Sequence, residues 1–289
     1  MSNRILISIA DFHYWFENRF MTLTLDRHLR KLLSQADAPA GFELHASLED
    51  LSVWVADLKR GRKVLPAAYP GLSRGLQERI FDLRHNALHL CLEEMLSKGD
   101  VRVLARLLTA VHKYTGISEF TIHPDLVHHA CWQPLLSRLP SPLSLSVENM
   151  DCRKRCFRAL TELAELLIQH PRLQCTFDTS HWLEHKRALD APELLQFLKI
   201  HRQRVSKIHF SVPTSKAAAY LDSQQIKTSH YLQVRSGVAC SESFFQALNY
   251  DLPFVIEGLV PVGNFSLLLD EARELRLQLN RSQRLHAVA

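Results

Sequence analysis

The feature that most constrains this chain of 289 residues is an alternation: short, nearly continuous apolar runs recur, each followed by a longer stretch of helical period. Strands buried on both faces read as such runs, and strands that alternate with helices build a parallel sheet. Eight runs can be placed: 4–10 (RILISIA), 41–46 (GFELHA), 62–67 (RKVLPA), 118–123 (SEFTIH), 143–148 (LSLSVE), 173–178 (LQCTFD), 205–210 (VSKIHF) and 253–257 (PFVIE). The third is crowded by Pro66 and Pro70, which strand interiors exclude. Between the runs, residues 151–169, 192–202 and 266–279 carry apolar side chains at three- and four-residue spacing. Residues 76–114 read as two helices broken near Gly99.

Eight units of about 36 residues fit an α/β fold made of a single (β/α)8 TIM barrel, roughly 250 residues plus modest insertions. Nine glycines and twelve prolines gather into no linker, so one domain over 1–289 is expected. An open doubly wound sheet is disfavoured, because no glycine-rich dinucleotide fingerprint follows any run. No stretch of 18 apolar residues could span a bilayer, and Asp11 comes too soon after the first run for a signal peptide. A cytoplasmic protein without a membrane partner is expected. The net charge of +5 is too small by itself to mark a nucleic-acid footprint. Six cysteines without a Cys-x-x-Cys pair read as reduced thiols.

The sixteen histidines are the compositional oddity, and position sorts them. Active sites of such barrels form at the carboxyl ends of the strands. The last five runs end on His123, Glu148, Asp178, His209 (with Phe210 behind it) and Glu257. A lone strand-end histidine or glutamate is commonly a satisfied polar group. Five in succession point instead to an oxygen-and-nitrogen site for a divalent metal ion: Mn, Mg, Co, Zn or Fe. His45, on the second run, and the aromatic residues Trp15 and Trp182, just past the first and sixth, are candidate substrate contacts. His28, His85, His89, His112, His170, His185, His201 and His286 are expected on helices or their ends.

The segments Gly41-Phe-Glu-Leu44, Ser146-Val-Glu-Asn149, Phe177-Asp-Thr-Ser-His181, Lys207-Ile-His-Phe210 and Val255-Ile-Glu-Gly258, in that order, resemble the xylose isomerase-like TIM-barrel superfamily. That superfamily holds sugar isomerases and epimerases together with endonuclease IV, the apurinic-site phosphodiesterase. The resemblance implies Glu148, Asp178, His209 and Glu257 as metal ligands, with Glu148 and Glu257 as the catalytic acid and base of the isomerase branch. His181 matches a histidine that contacts substrate in one branch and a second metal in the other. His123 is similar to the fourth-strand histidine of the nuclease, and His230 to a histidine between its last strands. The chain also departs from the nuclease pattern: Ala67 stands at the expected third-strand histidine and Thr228 at an expected aspartate. From the isomerase pattern it departs at Val212, in place of an aspartate.

The leading expectation is therefore a metal-dependent isomerase or epimerase. It would act on a small, carbohydrate-like polyol carbonyl substrate, moving a proton at the carbon beside a metal-polarised carbonyl. The alternatives are a phosphodiesterase of the endonuclease IV kind, the one reading that brings a nucleic-acid partner, and a multinuclear iron enzyme on the same scaffold. A homo-oligomer is compatible with each.

Overall fold

The structure is a computed structural model that describes residues 4–35, 38–66, 69, 71–185, 188–212, 232, 242–248 and 252–286, with the backbone alone at 13, 14 and 283–286. Eight parallel strands close into a barrel in sequence order: β1 (Ile5–Ser8), β2 (Gly41–Ala46), β3 (Ala87–Leu90), β4 (Glu119–Ile122), β5 (Ser144–Glu148), β6 (Leu173–Asp178), β7 (Val205–Phe210) and β8 (Phe254–Ile256). The closure is β1 against β8, with Leu6 opposite Val255. The helices outside include α1 (Arg19–Leu32), α2 (Leu48–Lys59), α3 (Arg74–Phe81), α4 (Lys98–Thr115), α5 (Trp132–Leu136), α6 (Leu160–Gln169), α7 (Thr179–Glu184), α8 (Pro192–Ile200), α9 (Glu242–Ala247) and α10 (Ser266–His286). No helix among the described residues is long and apolar enough to cross a membrane.

Side chains alternate along each strand, and here the alternation separates two kinds of chemistry. The outward positions, among them Ile7, Phe42, Leu88, Phe120, Val147, Phe177, Ile208 and Ile256, are apolar and join one large core with the helices. Of the inward positions, Leu6, Ala87 and Val255 form a small separate apolar cluster, and most others are polar. Ser8 pairs in register with Glu43, His89 with Thr121, Glu148 with Thr176, and His209 with Val255. Each of these is a two-residue step between topmost and second inward positions. Four such steps around the barrel amount to the shear of about 8 that a closed eight-stranded barrel requires. The result is a ring of topmost inward residues, one from each strand or the position just beyond it: Ser8, His45, His89, His123, Glu148, Asp178, His209 and Glu257.

Two sequence expectations are corrected. The third strand is Ala87–Leu90, which pairs with Glu43–Ala46 on one side and Phe120–Ile122 on the other; of the expected run 62–67, residues 62–66 form no strand and Ala67 lies outside the described residues. The segment around Val64 has its backbone engaged by side chains instead: the Trp54 indole donates to the Val64 carbonyl at 2.7 Å, and the Leu65 N–H donates to Gln77 Oε1 at 3.0 Å. The strand therefore lies inside the region read as two helices. Similarly, the helix expected from 151 begins only at Leu160. Before it the chain makes a loop in which the Met150 N–H donates to the Phe157 carbonyl at 2.9 Å and Phe157 adopts φ 59°, a left-handed value unusual for a bulky side chain.

Candidate metal centre

The carboxyl end of the barrel gathers the ring residues into overlapping donor groups. Glu148, Asp178, His209 and Glu257 each offer an atom within 4.8 Å of the others, and all four are buried. His209 Nδ1 stands 2.7 Å from Glu257 Oε2, 3.5 Å from Glu148 Oε2 and 3.9 Å from Asp178 Oδ2. This is the four-residue set that the sequence singled out. A second group is His89, His123 and Glu148, and a third joins His89 to His209 and Glu257. Glu148 Oε2 is shared: it lies 3.6 Å from His89 Nε2 and 3.9 Å from His123 Nε2.

Local structure explains the placement. Glu148 and Asp178 end their strands and His209 is next to last in its own, and all three inherit their inward direction from the two-residue period. His123 and Glu257 sit one residue past their strands, His123 leading directly into Pro124 of a short 3-10 turn. Asn149 ties two strand ends together: its side chain accepts from the Asp178 N–H at 2.7 Å and donates to the Asp178 carbonyl at 2.9 Å. Asp178 in turn caps α7, accepting the His181 N–H at 2.7 Å. The His181 ring is held through Nδ1, 2.7 Å from the Asn149 carbonyl and 3.3 Å from Glu148 Oε1.

The electrostatics are those of a cluster with more negative than positive charge. At His209, burial opposes the imidazolium, yet Glu43, Glu257 and Glu148 outweigh it and push its pKa well above the ordinary value. His181 behaves likewise, burial being overcome by Asp178 and Glu148, and is lifted to about 9. Glu148 is held well below the usual range, because His209, His89 and His181 outweigh its burial. His89 goes the other way: burial dominates and depresses it to about 3, so its neutral ring is available as a ligand.

Buried polar atoms are nearly always hydrogen-bonded, so the exceptions are informative. Neither ring nitrogen of His89 or of His209 makes a hydrogen bond, and neither Glu148 Oε2 nor Glu43 Oε2 makes one. Several imidazole nitrogens and carboxylate oxygens converging without hydrogen-bond partners are donors that divalent ions would satisfy, and the residue types suit zinc, iron, manganese or cobalt. The residues present therefore fit a metal.

Of the remaining expectations, His45 lies at the mouth with Nε2 3.0 Å from Ser8 Oγ, and its ring is 4.9 Å from that of His89. Trp15 and Trp182 are buried below the rim rather than exposed to a ligand. Their indole N–H groups donate to the Val260 and Ala188 carbonyls, each at 2.8 Å. Thr228 and His230 lie outside the described residues. His89, expected on a helix, is instead the third-strand histidine, in a place the sequence assigned to Ala67.

Near the ring, the buried charged residues Glu43, Lys207 and Asp11 were not among the site residues the sequence singled out. Glu43 and Lys207 each stand two positions before a ring histidine, one alternation step that marks them as inward. Asp11 directly follows the first run, and its carboxyl is pushed well up by burial and by Glu257.

No family model matches this sequence, and no curated protein matches it. In structure it is similar to endonuclease IV from Thermus thermophilus, at 17% sequence identity and a TM-score of 0.54, with 96% of this chain and 99% of that chain covered. It is also similar to protein SMc04130 from Sinorhizobium meliloti 1021, at 11% identity and a TM-score of 0.48 over 81% of this chain and 97% of that one. The first likeness bears out, at the level of fold, the barrel that the sequence resemblance implied.

Proposed function

We propose that this protein is a metal-dependent hydrolase of phosphodiesters that works with at least two ions. One observation carries the reading: the His89, His123 and Glu148 group adjoins the Glu148, Asp178, His209 and Glu257 group through a shared carboxylate. An isomerase or epimerase, the leading expectation from the sequence, needs only the second of these groups. A spare triad with two histidines beside it has no task in single-ion proton transfer. It does have one in phosphoryl transfer, where paired ions, when bound, polarise the phosphoryl group and stabilise charge on the attacking and leaving oxygens. Endonuclease IV, whose fold the chain shares, hydrolyses phosphodiesters and belongs to the same reaction class.

In this reading Asp178, His209 and Glu257 would hold one ion, His89 and His123 would hold the other, and Glu148 is within reach of both groups. His181, fixed by Asn149 and by the Asp178 cap, holds a proton 3.3 Å from Glu148 and steadies the shared carboxylate. Nucleic acid is not specified as the substrate. The basic run at 153–155 is partly neutralised within the protein, since Arg153 pairs with Asp151 at 2.7 Å and Lys154 with Asp125 at 2.9 Å.

The test is hydrolysis of bis(p-nitrophenyl) phosphate and of an abasic-site oligonucleotide by zinc-, manganese- or iron-loaded protein. Cleavage that disappears with EDTA and in His89→Ala supports the proposal. Absence of cleavage, together with proton exchange beside the carbonyl of an aldose or ketose, restores the isomerase.

A further inference from the structure

Glu43 and Lys207 form an ion pair between β2 and β7, one layer below the donor ring, and both are almost wholly buried. An ion pair in such a place is weak evidence of stability, because apolar residues of the same volume serve as well or better. Leu6, Ala87 and Val255, at the same depth, show that this interior accepts apolar packing. The pair therefore invites a different explanation, and the second oxygen of Glu43 supplies it. Glu43 Oε1 takes the Lys207 ammonium, while Oε2 lies 2.8 Å from His209 Nε2. The other ring nitrogen of His209, Nδ1, faces Glu257, Glu148 and Asp178.

Histidines that bind metals commonly donate their second ring N–H to a carboxylate, which fixes the tautomer and the plane of the ring. We propose that Glu43, anchored by Lys207, is the positioning residue of His209: its Oε2, 2.8 Å from Nε2, would accept the Nε2–H when a metal ion is bound and so present Nδ1 to an ion held with Glu148, Asp178 and Glu257. Lys207 keeps the carboxylate charged and aimed. Glu43 also lies within ligand reach of His45 and His89. With one oxygen on the lysine and the other nearest His209, at 2.8 Å from Nε2, it is placed as a support of that ring. This inference rests on the metal-centre reading above and adds to it which residue outside the donor ring sets the geometry.

The experiment is zinc binding by chelator competition, together with the visible spectrum of the cobalt(II)-loaded protein, on wild type, Glu43→Gln and the double variant Glu43→Gln/Lys207→Met. The double variant removes both charges at similar volume and guards against loss of folding in the single one. Both variants are expected to bind one ion about 10–100-fold more weakly, to keep the ion of the His89 group, and to show an altered cobalt spectrum for the weakened site. In zinc-loaded wild type, nitrogen-15 NMR is expected to show His209 metallated at Nδ1 and protonated at Nε2. Wild-type affinity and spectrum in a folded variant, equal weakening of both ions, or metallation at Nε2 would overturn the positioning role alone. Wild-type protein that binds no zinc would overturn the metal centre, and the positioning role with it.

Discussion

Asn149→Ala removes a side chain that pins two strand ends to each other, and its cost can be worked from the contacts. Two hydrogen bonds to the Asp178 backbone are lost, at 2.7 and 2.9 Å, from a buried position. Depriving a buried group of its partner costs about 1–3 kcal/mol, so the variant should lose about 2–6 kcal/mol. With an unfolding entropy of about 2.1 cal/mol/K per residue, that is a drop of about 3–10 °C in melting temperature. Asn149→Asp sharpens the test. It keeps the acceptor for the Asp178 N–H but turns the donor into a second acceptor facing the Asp178 carbonyl, and adds a carboxylate beside Glu148 and Asp178. It should be less stable at neutral pH than the alanine variant, and the gap should narrow in acid as the new carboxylate is protonated. Thermal unfolding of the metal-free protein followed by circular dichroism measures both. An alanine variant that melts within about 1 °C of wild type, well short of the drop worked out above, would refute the claim that Asn149 holds the strand ends in place.

Two further outcomes follow from local geometry. A Cβ at Gly41 would stand 2.3 Å from the His85 carbonyl oxygen, a backbone atom with no freedom to yield. Gly41→Ala should therefore cost more than about 4 kcal/mol, read as loss of folded protein on expression, and normal yield and melting would contradict this. Asp26 in α1 resists protonation: burial opposes its charge, but hydrogen bonds from Ser73 and Arg30 outweigh it and hold the pKa below the ordinary value. A carboxyl depressed on folding stabilises the native state above its unfolded pKa of about 4, and that contribution disappears as pH falls through the folded value. The melting gap between wild type and Asp26→Asn should be full near neutral pH and close in acid. A constant gap would count against it.

Much of the site was legible because its residues end long runs. The sixth and seventh strands fall at the expected bounds, 173–178 and 205–210, since six mostly apolar or β-branched residues with an ionisable member at or next to the end leave little room for another assignment. The third strand was not legible. Ala87-Leu-His-Leu90 is only four residues, set among leucines whose spacing also suits a helix, whereas in the short run read as the third strand the Val64 and Leu65 backbone groups are claimed by Trp54 and Gln77. The misplacement mattered chemically. It hid His89, and with it the donor groups that include His89, so the sequence favoured one ion, whereas the reading proposed above takes two. Glu43 and Lys207 escaped notice for another reason: charged residues in the middle of a strand look like solvent-facing ones until closure of the barrel makes that face an interior.

The most direct test of the central claim is the metal content of the purified protein after reconstitution with zinc and removal of loosely held ions, measured by elemental analysis for wild type and His89→Ala. Two or more ions per wild-type chain, and one fewer in His89→Ala with the fold intact, is the expected result. A single ion per wild-type chain, unchanged in His89→Ala, would contradict the two-ion centre.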